Sequence, residues 1–271
     1  MLTDTDLVAV AEASEAESAR IFEVAPAASV ERLGIATERI AGARVVSVRD
    51  DPHDFWSKAV GLGVSEPATA SVIRRIRDFY RRQGSPRAQI FTAPALLPPD
   101  WDEIVAEHGL TVGSARFKLM CPVADFRAPR ATRFRIGPVA AEDADAAAGV
   151  LLETLGMAYL ADVFAHAFRA GVLHAFAAWD GDDIVGVAIL RLGGPGAQFH
   201  GAATLPAYRR QGIQSGLLAA RSQAAVEAGS RWLVSEVAAV VDGNQSLENM
   251  LTAGFTLRYE RPSWIWTNPD Y

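Results

Sequence analysis

The chain has 271 residues, half of them apolar and 21% charged, with a net charge of −6. Such a length carries a sizeable core in one large domain or two smaller ones, and the acid balance argues against general nucleic-acid binding or an anionic membrane surface. A single cysteine, Cys121, excludes a disulfide framework within the chain, and His53, His108, His166, His174 and His200 lack metal-binding spacing, so no metal site is expected.

The opening run MLTDTDLVAVAEASEAE is acidic, without the basic start of a signal peptide, and no stretch approaches about 18 apolar residues. A cytoplasmic protein is expected. In the first half, a helix over Ala68–Gln83 is closed by Gly84, a strand follows at Ala88–Thr92, and a second helix ends at Gly109. At the Gly61–Ala68 junction ahead of the first helix, Ser65 is the expected N-cap, Pro67 the first helical residue, and Glu66 sits at the positive helix end. The run Arg74–Gln83 reads as a solvated helix face. Cys121 falls in a strand-like run, Arg116–Val123, and reads as a small buried hydrophobe.

Residues 123–133 (VADFRAPRATR) are polar, contain proline and lack periodicity; they are expected to be a linker between domains at 1–122 and 134–271. Beyond it come a strand at Phe134–Val139, an Ala-rich helix at Ala141–Leu155 with acids near its start, and a short helix at Leu160–Ala170. Strands His174–Trp179 and Ile184–Arg191 flank a hairpin turn at Asp180–Asp183, and Gln198–Leu205 is the next strand. The helix Gly212–Ala228 places Ile213, Leu217, Ala220, Ala224 and Ala228 on one face, with Gly229 at its C-terminus. A strand at Trp232–Val237, a helix at Ser246–Ala253 ended by Gly254, and strands at Phe255–Glu260 and Ser263–Trp266 complete the order. That is an α/β (α+β) unit with a mostly antiparallel sheet and one strand–helix–strand crossover. Gly84 and Gly109 are spaced as Gly229 and Gly254 are, within the same order of elements, which predicts a tandem repeat of one fold.

The stretch that carries chemistry is Ala202–Leu218 (AATLPAYRRQGIQSGLL). Pro206 ends a strand, a basic turn follows, and Gly212 opens an apolar-faced helix. Helix N-termini present unpaired N–H groups and about half a positive charge, so a phosphate is stabilised there. Arg209 and Arg210 add full charges, while Gln214 and Ser215 add short donors. Neither the Walker A loop nor the Gly-x-Gly-x-x-Gly fingerprint is present.

RRQGIQ at Arg209–Gln214 resembles the (Gln/Arg)-x-x-Gly-x-(Gly/Ala) signature of the GNAT N-acetyltransferase superfamily. Ser246-x-x-Asn249-x-x-x-x-Gly254-Phe255 resembles that family's next helix, and the element order fits from about residue 132 to 268. The resemblance implies a GNAT-type mixed, mostly antiparallel sheet flanked by helices, in two tandem copies. It implies acetyl-CoA as acyl donor: Ala202, Ala203, Thr204 and Leu205 facing the pantetheine arm, Arg209, Arg210, Gln211, Gly212, Ile213, Gln214 and Ser215 holding the pyrophosphate, and Asn249 reaching the coenzyme. Gln214 departs from the commonest residue at its position, and Met250 stands where many members carry a tyrosine acid. Glu236 is the candidate base, with Tyr208, Tyr259 and Ser246 as candidate proton donors and His200 and His174 behind them. The acceptor implied is a primary amine of a small molecule. The alternatives are an acyl-CoA-binding regulatory module without turnover, or transfer to a hydroxyl or of a longer acyl group. The first copy is expected to be degenerate and without a coenzyme site, because no Arg or Lys lies at Gly61–Ala68. Acceptor identity and oligomeric state stay open.

Overall fold

The computed structural model describes residues 3–128 and 130–271. Its contacts divide the chain into two compact units: residues 1–118 with 259–271, and residues 119–258. Among the described residues no helix is long and apolar enough to cross a membrane.

The first unit runs α1 (Asp4–Ser18), α2 (Ala27–Leu33), β1 (Ile35–Ile40), β2 (Ala43–Val48), β3 (Lys58–Val60), α3 (Ala70–Gln83), β4 (Arg87–Phe91), α4 (Trp101–His108) and most of β5 (Thr111–Pro122). Its strands lie in the order β1-β2-β3-β4, every pair antiparallel except β3 with β4, which are parallel and joined by α3. The parallel pair demands a crossover, and α3 supplies it by packing Val72, Ile73, Ile76, Phe79 and Tyr80 into the core beside Val45, Ile90 and Trp264. Gly84 and Gly109 end α3 and α4 in the left-handed region, φ +68° and +61°.

The second unit contains β6 (Arg135–Pro138), α5 (Ala144–Thr154), α6 (Ala161–Arg169), β7 (His174–Asp180), β8 (Asp183–Arg191), β9 (Gly196–Thr204), α7 (Ile213–Glu227), β10 (Trp232–Ala238), α8 (Gln245–Thr252) and the start of β11 (Thr256–Thr267). The order is β6-β7-β8-β9-β10, antiparallel except for β9 with β10, joined by α7. Asp180 pairs with Asp183 across a two-residue turn in which Gly181 takes φ +63°. Gly229 and Gly254 again have positive φ. Each unit thus has the succession two helices, three strands, crossover helix, strand, helix, strand, with one parallel pair at the crossover. This is a mixed α/β fold with mostly antiparallel strands flanked by helices.

Three expectations differ from the structure. The C-terminal strands are one, β11, unbroken through Arg261-Pro262, and its residues 259–267 lie in the first unit, where Ser263–Thr267 pair with β4. The reason is a buried ionic cluster. Arg261 donates to Glu12 Oε2 at 2.6 Å and to Glu15 Oε1 at 2.9 Å, Tyr259 donates to Glu12 Oε1 at 2.7 Å, and Lys118 pairs with Glu15. Residues 123–133 are not a free linker: Val123 N donates to Arg231 O, Arg127 N to Ala253 O, and Thr132 Oγ1 to Gln211 O, all within the second unit, with Pro129 outside the described residues. Backbone groups that find partners can dock a segment that lacks an apolar face. Finally, Thr69 rather than Ser65 caps α3, accepting from Val72 N, so Glu66 lies ahead of the helix and no acid occupies its first turn.

Candidate functional site

Strands β9 and β10 pair in parallel from Gly196↔Trp232 to Phe199↔Ser235 and no further, although β9 continues to Thr204 and β10 to Ala238. On its other edge β9 stays with β8 as far as Gly186↔Thr204, with a register shift between Ala188 and Leu190, opposite His200 and Gly201. Leu205 N donates to Val185 O at 3.0 Å. Alternation along an antiparallel pair then turns the peptide groups of Ala203 and Leu205 toward β8, and those of Ala202 and Thr204 toward the edge that β10 has left. An extended, amide-rich ligand meets main chain there that β10 does not pair, with the Thr204 carbonyl already accepting from Arg209.

From that edge the chain passes through a 3-10 turn at Pro206–Tyr208 into α7. Arg210 has φ +62°, a left-handed conformation that costs a non-glycine residue about 1–2 kcal/mol, and such strain concentrates where backbone meets a ligand. Gly212, at φ +82°, is the N-cap of α7. Here glycine is needed twice over, since a Cβ would also stand 2.8 Å from the carbonyl oxygen of Ala131. The helix start carries no side-chain cap and no acid in its first turn, so its positive end is not neutralised from within. Ile213 is buried, and its side chain would clash with any Cβ on Gly186, which seats the helix start tightly against β8. The turn is braced from inside: Arg209 Nε donates to Thr204 O at 3.2 Å, Gln214 Nε2 to Thr204 Oγ1 at 2.9 Å, and Gln211 Nε2 to Ala207 O at 3.2 Å. Arg209 and Arg210 are exposed. Chemically, such a helix start can hold an anion through its main-chain amides, with two exposed guanidinium groups adding positive charge beside it.

The other expected residues are distributed unevenly. Glu236 is the first β10 residue past the paired stretch, half-buried and engaged with another group of the protein. Asn249 is half-buried on α8, accepting from Gln245 Nε2 at 3.4 Å; Ser246 is exposed on the same helix. Met250, also on α8, is half-buried. Tyr208 packs edge-on against Phe134 and lines an open depression of about 430 Å³ rimmed by Asp143, Asp182 and Asp183, whose lining includes neither Glu236 nor Ser246. Tyr259 belongs to the first unit's ionic cluster, where burial, with Glu12 beside it, pushes its hydroxyl well above the usual range. Burial, with Arg191 nearby, pushes the His174 imidazole down. Two residues were not anticipated from sequence. Asn244 caps α8 through Leu247 N and binds Ala238 O and Val240 O with its amide, fixing the loop after β10; an Asn just ahead of a helix is a legible cap. Arg221 is 1% exposed inside α7, and nothing local in the sequence marks it.

The corresponding junction of the first unit is shaped differently. Thr92 Oγ1 donates to Leu62 O at 3.1 Å, and a Cβ on Gly63 would meet Leu96 Cβ at 2.9 Å. The segments that follow β3 and β4 pack together there, and Leu62 and Ala68 are fully buried.

Residues 142–255 match the model of the acetyltransferase (GNAT) family. No curated protein matches the chain significantly. Among solved structures, it is similar to a tandem GNAT protein from the clavulanic acid biosynthesis pathway (TM-score 0.60, 13% identity, covering 98% of this chain and 97% of that one). It is also similar to a GCN5-related N-acetyltransferase from Kribbella flavida (0.59, 18%, 93% and 95%) and to a conserved protein of unknown function from Staphylococcus epidermidis (0.56, 14%, 89% and 100%). At such identities these likenesses establish the fold alone.

Proposed function

We propose that residues 142–255, which match the acetyltransferase (GNAT) family model, form an acyltransferase domain, and that the chain moves an acetyl group from acetyl-CoA directly to a primary amine of a small molecule. The observation that carries the coenzyme assignment is the continuity of two features: the open edge of β9 at Ala202–Thr204 leads straight into the uncapped, acid-free start of α7. The first suits the amides of a pantetheine arm, the second a diphosphate, and they follow one another in the order those groups do along the coenzyme.

In the transfer, the lone pair of a neutral amine forms the C–N bond at the thioester carbonyl and the C–S bond breaks, the electron pair leaving on sulfur. The amine proton goes to a base, and we assign that role to Glu236, which stands where the cleft opens. The thiolate leaves as a fairly stable anion, so the vacancy of the acid position at Met250 is tolerable. Acyl-CoA is a cytoplasmic metabolite and the lone buried thiol of Cys121 suits a reducing compartment, which supports a cytoplasmic enzyme. We assign no coenzyme site to the first unit. The electrostatic ground expected from Glu66 does not hold; the support is steric, from Thr92 and Leu96 closing over Leu62 and Gly63.

Titration of acetyl-CoA into the wild type should give one site per chain, and Arg209→Glu with Gly212→Asp should abolish it. Unaltered affinity in the double variant refutes the coenzyme assignment. Tight binding with no thioester loss across broad amine panels refutes the transfer while leaving the coenzyme site standing.

A further inference from the structure

Arg221, in the third turn of α7, is a buried cation without a carboxylate partner among the described residues: burial alone acts on it, lowering its pKa to about 9. A charge held this way is expensive, and an apolar side chain of similar length would avoid the expense. The guanidinium is spent on main chain. Nη1 donates to Ile189 O at 3.1 Å and to His200 O at 3.3 Å, Nε donates to Leu217 O at 3.2 Å, and the planar group lies over the Phe199 ring at 4.4 Å from its centroid.

The two sheet carbonyls are particular ones. Ile189 and His200 both lie in the stretch where the β8–β9 register shifts, and Phe199 is the last β9 residue paired with β10. A register shift leaves ladder groups without strand partners and bends the strand that carries the extra residue. One nitrogen of Arg221 bridges both carbonyls across that shift. The same side chain lies over the ring of the residue at which β9 and β10 part.

We propose that Arg221 is a positioning residue for the acyl-pantetheine arm: by bridging the Ile189 and His200 carbonyls it holds the bend that separates β9 from β10, and so keeps the peptide groups of Ala202 and Thr204 at the cleft edge. This rests on the coenzyme reading above. It assigns to the middle of α7 a function separate from that of the helix start, where the diphosphate is held.

The test compares two probes, acetyl-CoA and ADP, the latter carrying a diphosphate but no pantetheine. Arg221→Met should weaken acetyl-CoA binding and raise its KM about tenfold, the effect of losing bonds to a charged donor. ADP affinity and the KM of the amine should stay within about twofold, and Arg221→Lys, which keeps the charge but not the fork, should fall between. A folded Arg221→Met protein with unaltered acetyl-CoA affinity overturns the proposal, and so does a parallel loss for ADP, which would mean that α7 had moved as a whole. Should Arg221→Met fail to fold, Arg221→Lys is read by the same ratio. If the wild type binds neither probe, the coenzyme reading itself fails, and this proposal with it.

Discussion

Replacing Gly212 by alanine and by aspartate separates geometry from electrostatics at the helix start. Either substitution forces a side chain into φ +82°, at about 1–2 kcal/mol. Either also drives a Cβ to 2.8 Å from Ala131 O and 3.3 Å from Thr132 Cβ, so the Ala131–Thr132 segment must shift and the Thr132 Oγ1 bond to Gln211 O, worth about 1 kcal/mol, is strained or lost. Gly212→Ala should therefore lose about 2–3 kcal/mol in denaturant melts. Gly212→Asp carries the same strain but places a carboxylate at the positive end of α7, recovering about 0.5–1 kcal/mol. That carboxylate repels a diphosphate, which should cost the aspartate variant a further 1–2 kcal/mol or so of coenzyme affinity relative to alanine, on the order of tenfold. Calorimetric titration with acetyl-CoA at low ionic strength reads the second quantity, and the gap should narrow with added salt. The two variants thus rank in opposite order for stability and for binding. Equal affinity in the two would refute a diphosphate at this helix.

Glu236→Gln should lower kcat by about a hundredfold or more with little change in the KM of acetyl-CoA; an unchanged rate from neutral to alkaline pH would remove Glu236 as the base. Lys118→Met should destabilise the protein by about 3 kcal/mol at neutral pH, because it strips a counter-ion from buried carboxylates. Burial raises the Glu15 pKa, but Arg261 and Lys118 together outweigh it and hold the carboxyl well below its usual range. Its stabilisation is thus present above the unfolded pKa and lost as pH falls through the folded one. The Lys118→Met deficit should therefore shrink in melts taken at progressively lower pH; a deficit independent of pH would contradict the assignment. Tyr259→Phe should lower stability by about 1 kcal/mol through loss of its bond to Glu12, with turnover per folded molecule unchanged; a loss of turnover in the folded variant would make Tyr259 a proton donor after all.

Most elements of the second half were legible because their causes are local. Glycines at 84, 109, 229 and 254 take the positive φ that helix ends require, and apolar spacing in α7 and the turn residues of the β7–β8 hairpin need only a few neighbours to act. The same holds for the strand–proline–basic turn–glycine run, where adjacent residues alone set a helix start without an acid in its first turn. What tertiary structure alone decided concerns groups brought together from far apart. Glu12 meets Arg261 across 249 positions and Glu15 meets Lys118 across 103, which draws the last strand into the first unit and gives Tyr259 a carboxylate partner. Ser65 looked like a cap, yet Thr69 serves, because packing rather than capping propensity sets where α3 begins. Residues 123–133 looked like a linker until their backbone found partners at Arg231, Ala253 and Gln211. Nothing in the residues around Arg221 marks it as buried. Only the shifted register of two strands, which brings the Ile189 and His200 carbonyls within reach of one nitrogen, gives the buried guanidinium its partners.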